Sequence, residues 1–200
     1  MAYANHSCVP NAVHHSVTAH AGLKMLVASH EIAAGDEISH NYVGVGGDGF
    51  EGGQADVGQH IQQHWGFICT CIACTDDQIG AKLTQMRLLD RAIIECNASD
   101  VRLPGAAARF DEALRQGEEL VAMYHEFRFS SVHLARTFYL LFQIAVTRRA
   151  TLETAKGYIQ KARDCRLAFL GAGLADRDLA MFERYVGAPN EHQAYLAAEA

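Results

Sequence analysis

Two hundred residues, half of them hydrophobic and a fifth charged, are enough for one ordinary core or two small ones and show no compositional sign of disorder. A formal charge of −6 without any Lys/Arg cluster argues against a protein that holds nucleic acid by neutralising phosphates, and makes a basic peptide the more natural partner. No uninterrupted apolar run reaches the roughly 18 residues of a membrane span, and Met1-Ala2-Tyr3-Ala4-Asn5 lacks the cationic and apolar regions of a signal peptide, so the expectation is a soluble, intracellular chain.

In chain order, Val13-His14-His15-Ser16-Val17 and Leu23-Lys24-Met25-Leu26-Val27-Ala28 read as short strands joined at an Ala21-Gly22 turn. Gly35-Asp36 then turns into a third strand, Glu37-Ile38-Ser39-His40-Asn41-Tyr42-Val43. The stretch from Gly44 to Gly58 is rich in glycine and acidic residues and reads as a loop-like insertion. Near residue 75 the character changes. Ile79, Leu83, Met86, Leu89, Ile93 and Ile94 recur at helical steps, and similar patterns fill 105 to 126, 131 to 149 and 151 to 169. Pro104-Gly105 separates the first two of these four helices, Gly171 and Gly173 end the last, and Asp176 is placed to cap a further short helix reaching Tyr185. Successive amphipathic helices with short connections predict a tetratricopeptide-like stack, although no clean repeat signature is present.

Six cysteines could form a disulfide framework, but three crowd into Cys69-Thr70-Cys71-Ile72-Ala73-Cys74 and no secretion signal accompanies them. Three thiolates within six residues are better read as ligands of a structural zinc, whose tetrahedron needs a fourth donor from elsewhere. Cys96 and Cys165 fall on helical faces and read as core or surface thiols.

Three blocks carry more specific information: Asn5-His6-Ser7-Cys8-Val9-Pro10-Asn11, then Gly35-Asp36-Glu37-Ile38-Ser39-His40-Asn41-Tyr42, then Trp65-Gly66-Phe67-Ile68 leading into the cysteine triplet. In this order and at these separations they resemble the NHSCxPN, GEExxxxY and CxCxxC post-SET motifs of SET-domain methyltransferases. Asp36 stands where the second motif more often has Glu. The helical tail, with its Pro189, His192, Tyr195 pattern, resembles the SET and MYND group and its fungal-type relatives. The fold that this resemblance implies is α+β: residues 1–64 as the C-terminal half of a SET domain, 65–75 as a post-SET zinc segment and 76–200 as a helical domain. A complete SET domain begins upstream with strands holding a glycine-rich cofactor motif, whereas this chain opens at the NHSC block. The expectation is therefore an N-terminally shortened form, whose activity alone is a separate question.

The implied activity is transfer of a methyl group from S-adenosylmethionine to a lysine of a histone or another protein. Tyr42 matches the family's catalytic tyrosine. Asn5 and His6 match positions that hold the cofactor, Ala2 stands where relatives often have a small polar residue, and Trp65 and Phe67 match aromatics that cover the adenine and wall the lysine channel. Cys8 is implied as the fourth zinc ligand with Cys69, Cys71 and Cys74; His60, His64 or another ligand in its place is the alternative. Glu37 reads as structural, and Pro10 and Asn11 as shaping the turn. His14, His15, His20, His30 and His40 lack ligand spacing.

Outside these blocks an isolated strand tyrosine would ordinarily be a packing residue, and a lone Asn-His pair a turn. The stretch Gly44-Val45-Gly46-Gly47-Asp48-Gly49 satisfies GxGxxG, but the sequence shows no helix opening there, as a dinucleotide fold would need. Two other classes compete with the enzyme: a non-catalytic, zinc-stabilised interaction module whose helical tail binds a partner, and a redox-sensing thiol protein. Nothing basic enough for a nuclear import signal is visible, and the resemblance implies the nucleus, the cytoplasm or both, where relatives are found.

Overall fold

The computed structural model describes residues 4–16, 24–44, 53–100, 102–170 and 176–195. The chain divides into two compact units, Met1–Arg91 with Met123–Ser130, and Ala92–Ala122 with Ser131–Ala200. Ala2, the Ala21-Gly22 turn, most of the GxGxxG stretch, and Gly171 and Gly173 lie outside the described residues.

Four short strands occur in the described part of the first unit: β1 (Asn5–His6), β2 (Ala12–Ser16), β3 (Lys24–Ala28) and β4 (Ser39–His40). β2 and β3 pair antiparallel with Val13 opposite Val27 and His15 opposite Met25. The third predicted strand shrinks to β4, which runs parallel to β1 with Asn5 beside Ser39 and His6 beside His40. Asn11 joins these segments. Its side-chain amide donates to the Glu37 carbonyl at 2.8 Å and its side-chain oxygen accepts from the Ser39 N–H at 2.9 Å, while its own carbonyl accepts from Ser29 at 2.8 Å. One carboxamide thus substitutes for ladder hydrogen bonds that the short strands do not supply.

The Gly44 to Gly58 reading needs correction, because a helix, α1 (Gln54–Trp65), begins inside it. The chain composition masked it: Val57 and Ile61, one helical turn apart, are the two apolar residues it buries, among Gln, Gly, His and Asp. Asp56 accepts from the Gly53 N–H at 2.8 Å, and Gly66, with φ of 76°, ends the helix in the left-handed conformation. A single helical turn, α2 (Ile72–Thr75), follows, then α3 (Asp77–Asn97). Asp76 caps α3 by accepting from Gln78 and Ile79 at 2.9 and 3.1 Å. Val57, Ile61, Ala73, Leu83, Met86, Tyr124 and Phe129 form the buried apolar centre of this unit.

The second unit takes part of α3 and of α4 (Ala106–Glu126), together with α5 (Ser131–Ala145), α6 (Leu152–Leu170) and α7 (Arg177–Gly187). α5 packs on α6 and α6 on α7. The α5 face is Leu134, Phe138, Leu141, Phe142 and Ala145, spaced three and four apart and all buried. α5 ends at Ala145 rather than at 149. There the Thr147 hydroxyl donates to the Ile144 carbonyl at 2.7 Å and the Thr151 hydroxyl to that of Ala145 at 2.6 Å, so side chains replace the next helical donors. Asp176 caps α7, accepting from Leu179 at 2.9 Å. No described helix is long and apolar enough to cross a membrane.

Candidate functional site

The parallel pairing of β1 with β4 sets Tyr42, two residues beyond β4, against His6. The Tyr42 N–H donates to His6 Nδ1 at 3.0 Å, and the Tyr42 hydroxyl donates to the Ala4 carbonyl at 2.8 Å. Around the tyrosine ring stand His40 at 4.8 Å, His6 at 5.2 Å, Trp65 at 5.6 Å and Phe67 at 6.3 Å between ring centroids. Trp65 and Phe67 keep 43% and 36% of their surface exposed, which leaves a partly open aromatic enclosure able to take a further group. The left-handed Gly66 between them turns the chain out of α1 and lets both rings approach Tyr42. Asn5 donates its side-chain amide to the Glu37 carboxylate.

Because His6 Nδ1 accepts from Tyr42, its proton sits on Nε2, which lies 3.3 Å from Cys8 Sγ. Burial holds His6 below its ordinary pKa, with the Cys71 charge opposing and His40 adding to the depression. The imidazole is thus neutral, with one face of its chemistry turned to the tyrosine and the other to a cysteine.

That cysteine belongs to a cluster. The sulfurs of Cys8, Cys69, Cys71 and Cys74 all lie within 4.8 Å of one another. Zinc–sulfur bonds of about 2.3 Å in a regular tetrahedron separate neighbouring sulfurs by about 3.8 Å, and Cys8 and Cys74 are 3.8 Å apart. The donor set therefore fits a tetrahedral thiophilic ion such as zinc. His60 and His64 take no part: they stack on each other along α1, ring centroids 4.0 Å apart, beside Trp65. Without an ion, hydrogen bonding from the Cys8 thiol and main chain pulls the Cys71 thiol down to about 4, while the same contact and burial push Cys8 up, and burial first of all raises Cys69 to about 12.

Two residues that sequence reasoning passed over complete the surroundings. Gln54 Nε2 lies 3.1 Å from Cys8 Sγ and 3.2 Å from Cys74 Sγ, and Arg87 donates to Gln54 Oε1 at 2.9 Å. Gln54 sits where the sequence reads as loop, so neither its helix nor its approach to the cysteines was legible. Of the GxGxxG stretch only Gly44 lies within the described residues, and α1 begins beyond it, at Gln54. Cys96 and Cys165 are not among the four grouped sulfurs; both are partly buried, with thiols raised chiefly by burial.

Compared with known families, residues 1–43 match the SET domain family model, which supports a SET-domain protein, a family typically of protein-lysine methyltransferases. A search of curated proteins finds no match.

Proposed function

We propose that this chain is a SET-type protein-lysine methyltransferase of the SET and MYND or fungal-type group, using S-adenosylmethionine as methyl donor and a structural zinc held by Cys8, Cys69, Cys71 and Cys74. The observation that carries the reading is the convergence of Tyr42, His6, Trp65 and Phe67 in one enclosure beside the four sulfurs: His6, Tyr42 and Cys8 lie within residues 1–43, which match the SET family model, and Trp65, Phe67 and the cysteine triplet lie beyond them.

The chemistry follows from the residues. Lysine attacks as a neutral amine, yet its ammonium has a pKa of about 10.4 in water. An enclosure walled by Trp65, Phe67 and Tyr42 disfavours the charged form by desolvation. With its proton committed to the Ala4 carbonyl, the Tyr42 oxygen offers lone pairs only, suited to accept from an amine N–H and so orient the amine's lone pair along the transfer direction. When bound, S-adenosylmethionine supplies a methyl group activated by a sulfonium. Asn5 and His6 would hold it, with Ala2 as a further contact. The zinc thiolates would fix the chain after Phe67 so that both aromatics stay in place, in keeping with a structural rather than a catalytic metal.

Calorimetric titration of S-adenosylmethionine into the purified, zinc-loaded chain, with Asn5→Ala as control, tests this. Saturable binding that the control loses supports the reading and leads to assays on lysine peptides. A folded chain that binds no cofactor overturns it. A second reading, a zinc-stabilised interaction module, is favoured by Ile68 and Ile72, 73% and 56% exposed around the cysteine cluster; it predicts no cofactor binding and a specific protein partner.

A further inference from the structure

A zinc ion with four thiolates leaves a centre of net charge −2, and such a centre is stabilised by N–H donors and by a cation near its sulfurs. The main-chain N–H of Cys8 reaches Cys71 Sγ at 3.5 Å, and His6 Nε2 reaches Cys8 at 3.3 Å. Gln54 differs from both in joining two ligands at once. One is Cys8 of the N-terminal segment and the other Cys74 of the triplet, which are 66 residues apart in the chain.

The orientation of the Gln54 amide follows from its partners. Arg87 carries donors only, so the oxygen faces Arg87 and the two amide hydrogens are left for the two sulfurs. The same residue is pinned at its main chain, since the Gln54 N–H donates to Thr84 Oγ1 at 3.1 Å. Thr84 and Arg87 are three apart on α3 and present one face to the first turn of α1. Arg87 Nη1 is buried with no hydrogen-bond partner among the described residues, so the guanidinium is only partly satisfied by Gln54. An anionic centre on the far side of the amide gives that half-buried cation its electrostatic complement.

We propose that Gln54 is a positioning residue of the metal centre: its side-chain amide, held by Arg87, donates to Cys8 and Cys74 together and locks α1 and α3 onto the bound ion. The inference rests on the zinc reading above. N–H···S bonds withdraw electron density from thiolates, so removing them leaves sulfurs that are more reactive and a metal that is released faster.

Two variants separate a donor role from packing. Gln54→Glu keeps the size and the acceptor for Arg87 but replaces both donors with negative charge. Gln54→Leu removes donor and acceptor while filling much of the same space. Zinc release to a chromogenic chelator and peroxide-driven loss of zinc are the readouts, alongside the sulfur-to-metal charge-transfer bands of the cobalt-substituted chain. Expected are zinc retention weakened about ten- to a hundredfold, more for Gln54→Glu than for Gln54→Leu, and a red shift of the charge-transfer bands without loss of tetrahedral ligand-field bands. In the cadmium-113 form of the unaltered chain, a through-hydrogen-bond correlation should join the metal to the Gln54 side-chain amide protons, a readout independent of how any variant folds. Its absence, or Gln54→Glu releasing zinc at the unaltered rate, overturns the inference while leaving the zinc centre standing. An unaltered chain that holds no zinc overturns both.

Discussion

The hydroxyl of Tyr42 donates to the main-chain carbonyl of Ala4 at 2.8 Å, so the tyrosine is joined to the N-terminal segment by the same group that would face the substrate. Its N–H is committed as well, to His6. Tyr42→Phe should abolish methyl transfer while costing only about 0.5–1.5 kcal/mol of stability, the net worth of one hydrogen bond. Peptide methylation and urea unfolding on the same samples check it. Retained transfer would remove Tyr42 from the catalytic role, whatever the stability.

Arg166 on α6 and Asp176 at the head of α7 form a nearly buried two-pronged ion pair, 3.0 and 2.7 Å long, with side chains 10% and 8% exposed. Asp176 also caps α7. Replacing it by alanine strands a buried guanidinium and removes a cap, a loss of about 3–5 kcal/mol, softened by Asp178, 3.3 Å from Arg166. Combining Arg166→Met with Asp176→Asn removes the charge and keeps a cap, and should recover much of the loss. Equal stability of Asp176→Ala and the unaltered chain in denaturant titration would contradict this.

Gly117 on α4 faces Leu141, whose Cδ2 would lie 2.2 Å from an added Cβ, and Leu141 is fully buried. Gly117→Ala should therefore destabilise by about 1–3 kcal/mol, although alanine favours helix by roughly 1 kcal/mol. Gly157 on α6 has nothing within 4 Å of the same position, and Gly157→Ala should stabilise by about 0.5–1 kcal/mol. Thermal melts of the two variants should move in opposite directions.

His192, 2% exposed, packs against the rings of Tyr185 and Phe142 with centroids 4.9 and 5.2 Å away. Burial holds it below its ordinary value of 6.5. The unfolded chain therefore takes up the proton first as pH falls through 6.5, and stability declines from there down to the folded pKa, by at most about 1.4 kcal/mol per pH unit for this group. Above that window the contribution is complete. His6 and His40 are lowered by burial in the same sense. His192→Asn, whose side-chain oxygen can still accept from the Ala194 N–H as Nδ1 does at 3.1 Å, should flatten part of the acid limb. An unchanged limb would mean that His192 does not carry it.

Much of the helical part was legible in the sequence. The steps from Ile79 to Ile94 lie within α3, and Asp176 sits at the cap where its side chain places it. These features are local: a helix face repeats every few residues, and a cap reaches three residues ahead. The same holds for the cysteine triplet, whose spacing alone speaks of thiolate ligands.

What only the tertiary structure decided is long-range. β4 pairs with β1 and with the Asn11 side chain, partners that no alternation pattern reports. α1 emerges from a glycine-rich stretch because Val57 and Ile61 find a core to bury into. The approach of Cys8 to Cys74 across 66 residues, and of Gln54 to both, depends on packing between segments, whose free energy comes from surfaces buried together rather than from the order of neighbours along the chain.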